Sequence, residues 1–79
     1  MYETTVNMKV VGKFETFKDA FKCLYTEVME QLKNGYSWQL LETTVWIDDT
    51  DSPSLPTMFY KARDYACDQG WVVDGKLVI

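Results

Sequence analysis

The sequence predicts a small α+β domain of order β-α-β-α-β-β, in which two helices pack on one face of a sheet of three or four strands. Its 79 residues are the length of a single domain, which we place at residues 1–79. Hydrophobic residues make up 47% of the chain and aromatic residues 15%, which is enough for a packed core and argues against a disordered chain. Two segments with helical spacing of apolar residues alternate with segments rich in β-branched residues.

The first strand and the first helix follow from two different periodicities. Residues 6–14 alternate apolar and polar side chains, which is typical of a half-buried strand. From Phe17 onward the apolar residues recur at helical spacing, and Thr16 before them is a typical N-cap. Asn34 and Gly35 end this helix, because a left-handed cap favours these residue types. The first β-α-β unit could then be a parallel crossover, which would make the sheet mixed.

The remaining elements are assigned from β-branched content and turn residues. Residues 37–47 are rich in Thr, Val, Ile and Trp and are predicted to form the second strand. An acidic, turn-rich loop follows at residues 48–54, and apolar residues at helical spacing predict a second helix over residues 55–69. The C-terminal residues form two apolar runs around Asp74-Gly75, a dipeptide that suits a type I′ hairpin turn.

The charge distribution bears on the partners that the chain could bind. The net charge is −4, and the acidic excess lies entirely in the second half of the chain. A negative field argues against non-specific nucleic-acid binding. No apolar run is long enough for a membrane span and the first residues lack a signal-peptide pattern, so the cytoplasm is the expected location. Two cysteines far apart in the sequence do not suggest a disulfide framework.

Two sequence features that often carry catalysis or cofactor binding, histidine and a glycine-rich loop, are missing from the sequence. There is no histidine, and the four glycines are isolated, so neither a histidine base nor a phosphate-binding loop is available. The acidic loop does not fit an EF-hand, because Pro53 and Tyr60 stand at ligand positions. We therefore predict no catalytic residue, cofactor or metal site. We expect the loop acids to complement the dipole of the next helix and Asp51, Ser52 or Ser54 to cap it. Cys23 is expected to face solvent and Cys67 to be partly buried, both in structural roles.

A group of aromatic and apolar residues in the second predicted strand is a candidate interaction surface. If alternate residues of this strand face the helices, Trp38, Leu40 and Trp46 lie on the opposite face of the sheet, near Lys9 and Lys13. Two tryptophans on a face open to water are typical of an interface. The alternatives are a different strand phase, a bulge, or a cover provided by the C-terminal hairpin.

Asp48, Asp49 and Asp51 follow this strand and would present carboxylates to a basic partner. The sequence thus favours a non-enzymatic protein-interaction module that binds a basic surface of a larger protein, such as a nucleic-acid-binding protein, or forms a homodimer. Small acidic inhibitors and adaptors of phages and mobile elements offer an analogy. The alternative is a single-stranded nucleic-acid-binding domain that stacks bases on the aromatic face. A metal-dependent or thiol enzyme ranks third, because histidine is missing.

Overall fold

The computed structural model describes residues 1–52 and 55–79, and these form a small α+β domain. The predicted fold class is therefore confirmed. Within the described residues, nine elements follow one another along the chain: β1 (Tyr2–Val6), β2 (Lys9–Phe14), α1 (Phe17–Lys33), α2 (Trp38–Thr44), β3 (Val45–Asp49), β4 (Thr57–Met58), α3 (Phe59–Asp68), β5 (Val72–Val73) and β6 (Lys76–Leu77).

The main sheet has the strand order β2-β1-β3-β4, and every neighbouring pair is antiparallel. Strand β1 is inserted between β2 and β3, which run parallel to each other without touching. The chain from β2 through α1 to β3 is therefore a crossover between parallel strands that are split by a third strand. This insertion is the reason that the expected mixed sheet is wrong.

The first predicted strand is in fact a hairpin. Asn7 and Met8 form its two-residue turn, with φ angles of 52° and 69°. Positive φ at both central residues defines the type I′ turn that suits antiparallel strands. Asn adopts this conformation readily, whereas Met rarely does. Only the first residue of the dipeptide therefore matches the Asn-Gly pattern that predicts a type I′ turn. A single strand over residues 6–14 would have placed Val6 and Val10 on one face, but these two residues lie on different strands.

Helix α1 begins and ends where its capping residues predict. The Thr16 hydroxyl accepts a hydrogen bond from the backbone N–H of Asp19 at 3.2 Å. Gly35, just after the helix, has a φ of +93°, the left-handed conformation that glycine favours. The buried Thr4 hydroxyl donates to the Ala20 carbonyl at 2.9 Å and fastens α1 to β1. The prediction of this helix is confirmed.

The second predicted strand is mostly a helix. The Ser37 hydroxyl caps α2 by accepting from the Leu40 N–H at 3.2 Å, and the strand begins only at Val45. The hydroxyls of Thr43 and Thr44 donate to the Leu40 carbonyl, which lets these two β-branched residues sit within a helix. The prediction was wrong because it assigned the β-branched residues after Leu41 to one strand. Thr43 and Thr44 end α2, and only the residues from Val45 onward form the strand.

Helix α3 is shorter than predicted and begins at Phe59. Its N-cap is Met58, which makes no side-chain cap, so the expected capping by Asp51 or Ser52 is wrong. Thr57 and Met58 instead pair with β3. Ser54, the other expected cap, lies outside the described residues.

The C-terminal hairpin turns at Asp74-Gly75 as predicted, with φ angles of 52° and 76°. It packs on the helices, because Trp71 contacts Phe17 of α1 at 6.3 Å and Tyr65 of α3 at 5.4 Å between ring centroids. The Tyr25 hydroxyl of α1 donates to the Gly75 carbonyl at 2.6 Å. The C-terminal hairpin therefore packs against α1 and α3.

Candidate interaction surface

The helices cover one side of the four-stranded sheet. Val6, Val45 and Ile47 are buried in the core on that side, and Thr4 reaches α1 there. The alternation of side chains places the remaining residues on the opposite side, which we call the outer face. The outer face comprises Glu3, Thr5, Val10, Val11, Lys13, Trp46, Asp48 and Met58. None of these eight residues belongs to the hydrophobic core found among the described residues.

The strand register arranges most of the outer face in two rows that cross the sheet. The charged row is Lys13, Glu3 and Asp48, which stand opposite one another on β2, β1 and β3. The apolar row contains Val10, Val11, Thr5, Trp46 and Met58. The rows are about 7 Å apart, the distance of two residues along a strand. Val11 is the extra residue of a β-bulge between Val10 and Gly12, opposite the junction of Thr4 and Thr5.

A small hydrogen-bond network joins the two rows. The indole N–H of Trp46 donates to the Asp48 carboxylate at 2.9 Å, and the Thr5 hydroxyl donates to the same oxygen at 3.3 Å. Trp46 lies beside Thr5 and leaves it only 4% exposed. These hydrogen bonds hold both the ring and the carboxylate in fixed orientations.

Two carboxylates face each other in the charged row. Glu3 and Asp48 are direct cross-strand neighbours, and like charges in this position destabilise a sheet. Lys13, on the other side of Glu3, offsets part of this repulsion but forms no ion pair within 4.0 Å among the described residues. The pair is a local cost to the free protein, which a basic group from a partner would remove.

The predicted interaction residues divide between two surfaces. Trp46 lies on the outer face, as expected, whereas Trp38 and Leu40 lie on α2. Asp48 was expected in the loop after the strand, but it belongs to β3 and lies on the outer face as well. Because residues 38–44 are helical, their expected place on the sheet is wrong. Trp38 stacks on Phe59 of α3, with ring centroids 5.6 Å apart.

The other two acids and Lys9 lie away from the outer face. The Asp49 carboxylate accepts from the backbone N–H of Asp51, and Asp51 pairs with the N-terminal amine. Lys9 pairs with Val6, which places it on the helix side of the sheet. Lys13 is therefore the basic residue that accompanies Trp46.

Sequence reasoning missed Glu3, Thr5, Val10 and Met58 as members of the outer face. Glu3, Thr5 and Val10 were missed because the Asn7-Met8 turn converts one strand into two and places residues 2–6 at the centre of the sheet. Met58 was missed because it was assigned to the second predicted helix, whereas it belongs to β4. The β-branched run Thr4-Thr5-Val6 was an available signal of a strand.

The described residues contain no cluster of three or more His, Cys, Asp or Glu side chains that could hold a metal ion. None of the helices within 1–52 and 55–79 is both long and apolar enough to span a bilayer. The two thiols are exposed in the reverse of the expected order: Cys23 is half-buried and Cys67 is exposed. Cys23 lines a groove with Phe14 and Glu27, because β2 approaches α1 there.

We expect Cys67 to react with a thiol reagent on the order of tenfold faster than Cys23 in the folded protein. Burial, with a further contribution from Glu27, raises the pKa of the Cys23 thiol, so less of the reactive thiolate is present near neutral pH. Timed labelling at pH 7.5 followed by peptide mass spectrometry measures both rates. The difference should vanish in urea, and equal rates in the native protein would contradict the placement of Cys23.

Comparison with protein-family models, with curated proteins and with solved structures finds no match to this chain.

Proposed function

We propose that this chain is a non-enzymatic protein-interaction module whose outer face binds a basic and partly apolar surface of a larger protein. The observation that carries the proposal is the pairing of the two rows. The apolar row offers Trp46, Val10, Val11 and Met58 for burial, while Glu3 and Asp48 offer two carboxylates beside it. A lysine or arginine of the partner, flanked by apolar residues, complements both rows.

The size of the outer face favours a larger partner over a second copy of the chain. Three strands of five or six residues and a fourth of two residues present a flat area of roughly 300 Å². A stable interface buries about 800 Å² on each partner. Two outer faces stacked on each other fall well short of this, whereas a larger protein can extend beyond the sheet onto neighbouring surfaces.

The same face is a poor platform for single-stranded nucleic acid. Such platforms stack two or three bases on separate aromatic side chains. The outer face carries one aromatic ring, Trp46, and its neighbouring carboxylates repel phosphates. We therefore favour a protein partner and keep nucleic acid as an outcome to be distinguished by experiment.

Val10→Asp tests the outer face directly. Val10 is 52% exposed on an edge strand, so the change should leave the fold intact while placing a charge in the apolar row. Val73→Asp is a matched control, since Val73 is also a strand residue and is 50% exposed, but lies in the C-terminal hairpin. Each protein is immobilised and used to capture partners from a lysate of the source organism.

The wild type and Val73→Asp should capture the same partner protein in similar amounts. The amount captured by Val10→Asp should be at least about 90% lower. Raising the salt concentration should weaken the complex, because salt screens the attraction between the carboxylates of the outer face and the basic groups of the partner. Sedimentation of the pure protein tests the homodimer alternative. Titration with labelled single-stranded DNA and RNA tests the nucleic-acid alternative. Equal capture by both variants, or tight nucleic-acid binding sensitive to Val10→Asp, would overturn the proposal.

A further inference from the structure

Arg63 belongs to α3, and its guanidinium group lies against an aromatic ring of α2. Its guanidinium carbon lies 5.7 Å from the centroid of the Trp38 ring and 5.7 Å from that of the Phe59 ring. The two rings are themselves stacked at 26° to each other. A guanidinium over aromatic rings gains a cation–π interaction that fixes its orientation.

The hydrogen-bonding capacity of this guanidinium is not used within the described part of the chain. No carboxylate there lies within 4.0 Å of Arg63, and no hydrogen bond from it to a described residue is formed. Contact with the rings leaves the five N–H donors of the guanidinium, which are arranged in a fork, available to a partner. That fork matches the geometry of a carboxylate.

The surroundings of Arg63 are those of an interface anchor. Trp38 is 40% exposed and Tyr60, one turn before Arg63 on α3, is 45% exposed. Trp, Tyr and Arg are the residue types most enriched among energetically dominant interface positions. Phe59, which contacts both Trp38 and Arg63, is fully buried.

We propose that Arg63, held against Trp38 and Phe59, anchors a second interaction surface that binds a carboxylate side chain on an apolar segment of a partner protein. Charge complementarity selects this occupant, because the fork takes an anion while the exposed rings of Trp38 and Tyr60 take apolar side chains. A polyanion such as nucleic acid is disfavoured by the net charge of −4. The surface is separate from the outer face and does not depend on the function proposed for it.

The experiment selects binders from a random twelve-residue peptide library displayed on phage, with the purified chain as bait. The enriched peptides should contain Asp or Glu next to apolar residues, and synthetic versions with Gln or Asn in place of the acid should bind at least tenfold more weakly. Arg63→Gln should reduce the affinity for the acidic peptides at least tenfold. Arg63→Lys should also reduce it, because lysine keeps the charge but lacks the fork.

Lys61→Gln is the matched control, since it removes a positive charge from an exposed position two residues away on the same helix. It should change the affinity less than twofold, and Val10→Asp on the outer face should have no effect. Circular dichroism verifies that each variant is folded. Enrichment of basic peptides, binding that is indifferent to Arg63, or a failure to enrich any peptide would overturn the proposal.

Discussion

Replacing Phe59 by alanine should lower the free energy of unfolding by about 3–5 kcal/mol, the range for a large side chain removed from a packed core. Phe59 has no exposed surface and stacks between Tyr25 of α1 and Trp38 of α2, with centroid distances of 6.4 Å and 5.6 Å. Its loss opens a cavity where three helices meet. A chain of this length has limited stability, so the variant should be largely unfolded near 37 °C. Urea denaturation followed by circular dichroism measures the change.

Tyr60→Ala is the adjacent control. Tyr60 is of similar size but exposed, so its removal should cost about 1 kcal/mol or less. Comparable losses for the two variants would mean that α3 is rotated about its axis relative to the core.

Replacing Trp46 by alanine should weaken the complex proposed for the outer face at least about 30-fold, which corresponds to about 2 kcal/mol for an anchoring interface residue. Trp46 is the largest side chain of the apolar row and is oriented by Asp48. Because the ring is only partly buried in the free protein, the unfolding free energy should fall by about 1–2 kcal/mol, less than for Phe59. Isothermal titration with the captured partner and urea denaturation measure the two effects.

Trp46→Phe separates the contribution of the ring from that of the hydrogen bond to Asp48. It should keep most of the affinity if apolar burial dominates. A stability loss of about 3–5 kcal/mol for Trp46→Ala without any change in affinity would assign Trp46 to the structure and not to the interface.

The elements that the sequence predicted well are those whose signals are local. Helix α1 has its N-cap at Thr16 and its left-handed glycine at Gly35, and the C-terminal hairpin has Asp74-Gly75. These residue types specify a backbone conformation irrespective of what packs on them. Both elements formed as predicted.

The elements that were missed depend on competition between weak signals. Asn7-Met8 is a poor turn sequence, and it forms a turn because the strands on both sides can pair across it. Helix α2 has only seven residues, and the two threonines at its end are residue types that favour a strand. They are accommodated in the helix because their hydroxyls donate to the Leu40 carbonyl. Burial of Leu41 and contact of Trp38 with α3 favour the helix over the strand, and neither contact can be predicted from a short stretch of sequence.

The candidate site shows the same division. Trp46 was found because it belongs to a true strand, whereas Asp48 was identified by its charge and expected in a loop. Glu3 was missed because its place beside Asp48 depends on strand order. Arg63 gave no sequence signal, since its partner Trp38 was assigned to the sheet. Pairing across the sheet is a property of distant segments and could not be read from either one alone.

The central position of β1 has a consequence for how the chain reaches this fold. Its pairing with β2 spans only two residues, whereas its pairing with β3 joins Val6 to Val45, about 40 residues further along. Entropy is lost when such a loop closes, before any contact between the two strands compensates for it. Formation of α1 shortens the distance to be searched, because its 17 residues then move as one rigid segment. We therefore expect closure of the β1–β3 ladder, and not formation of either hairpin, to set the folding barrier.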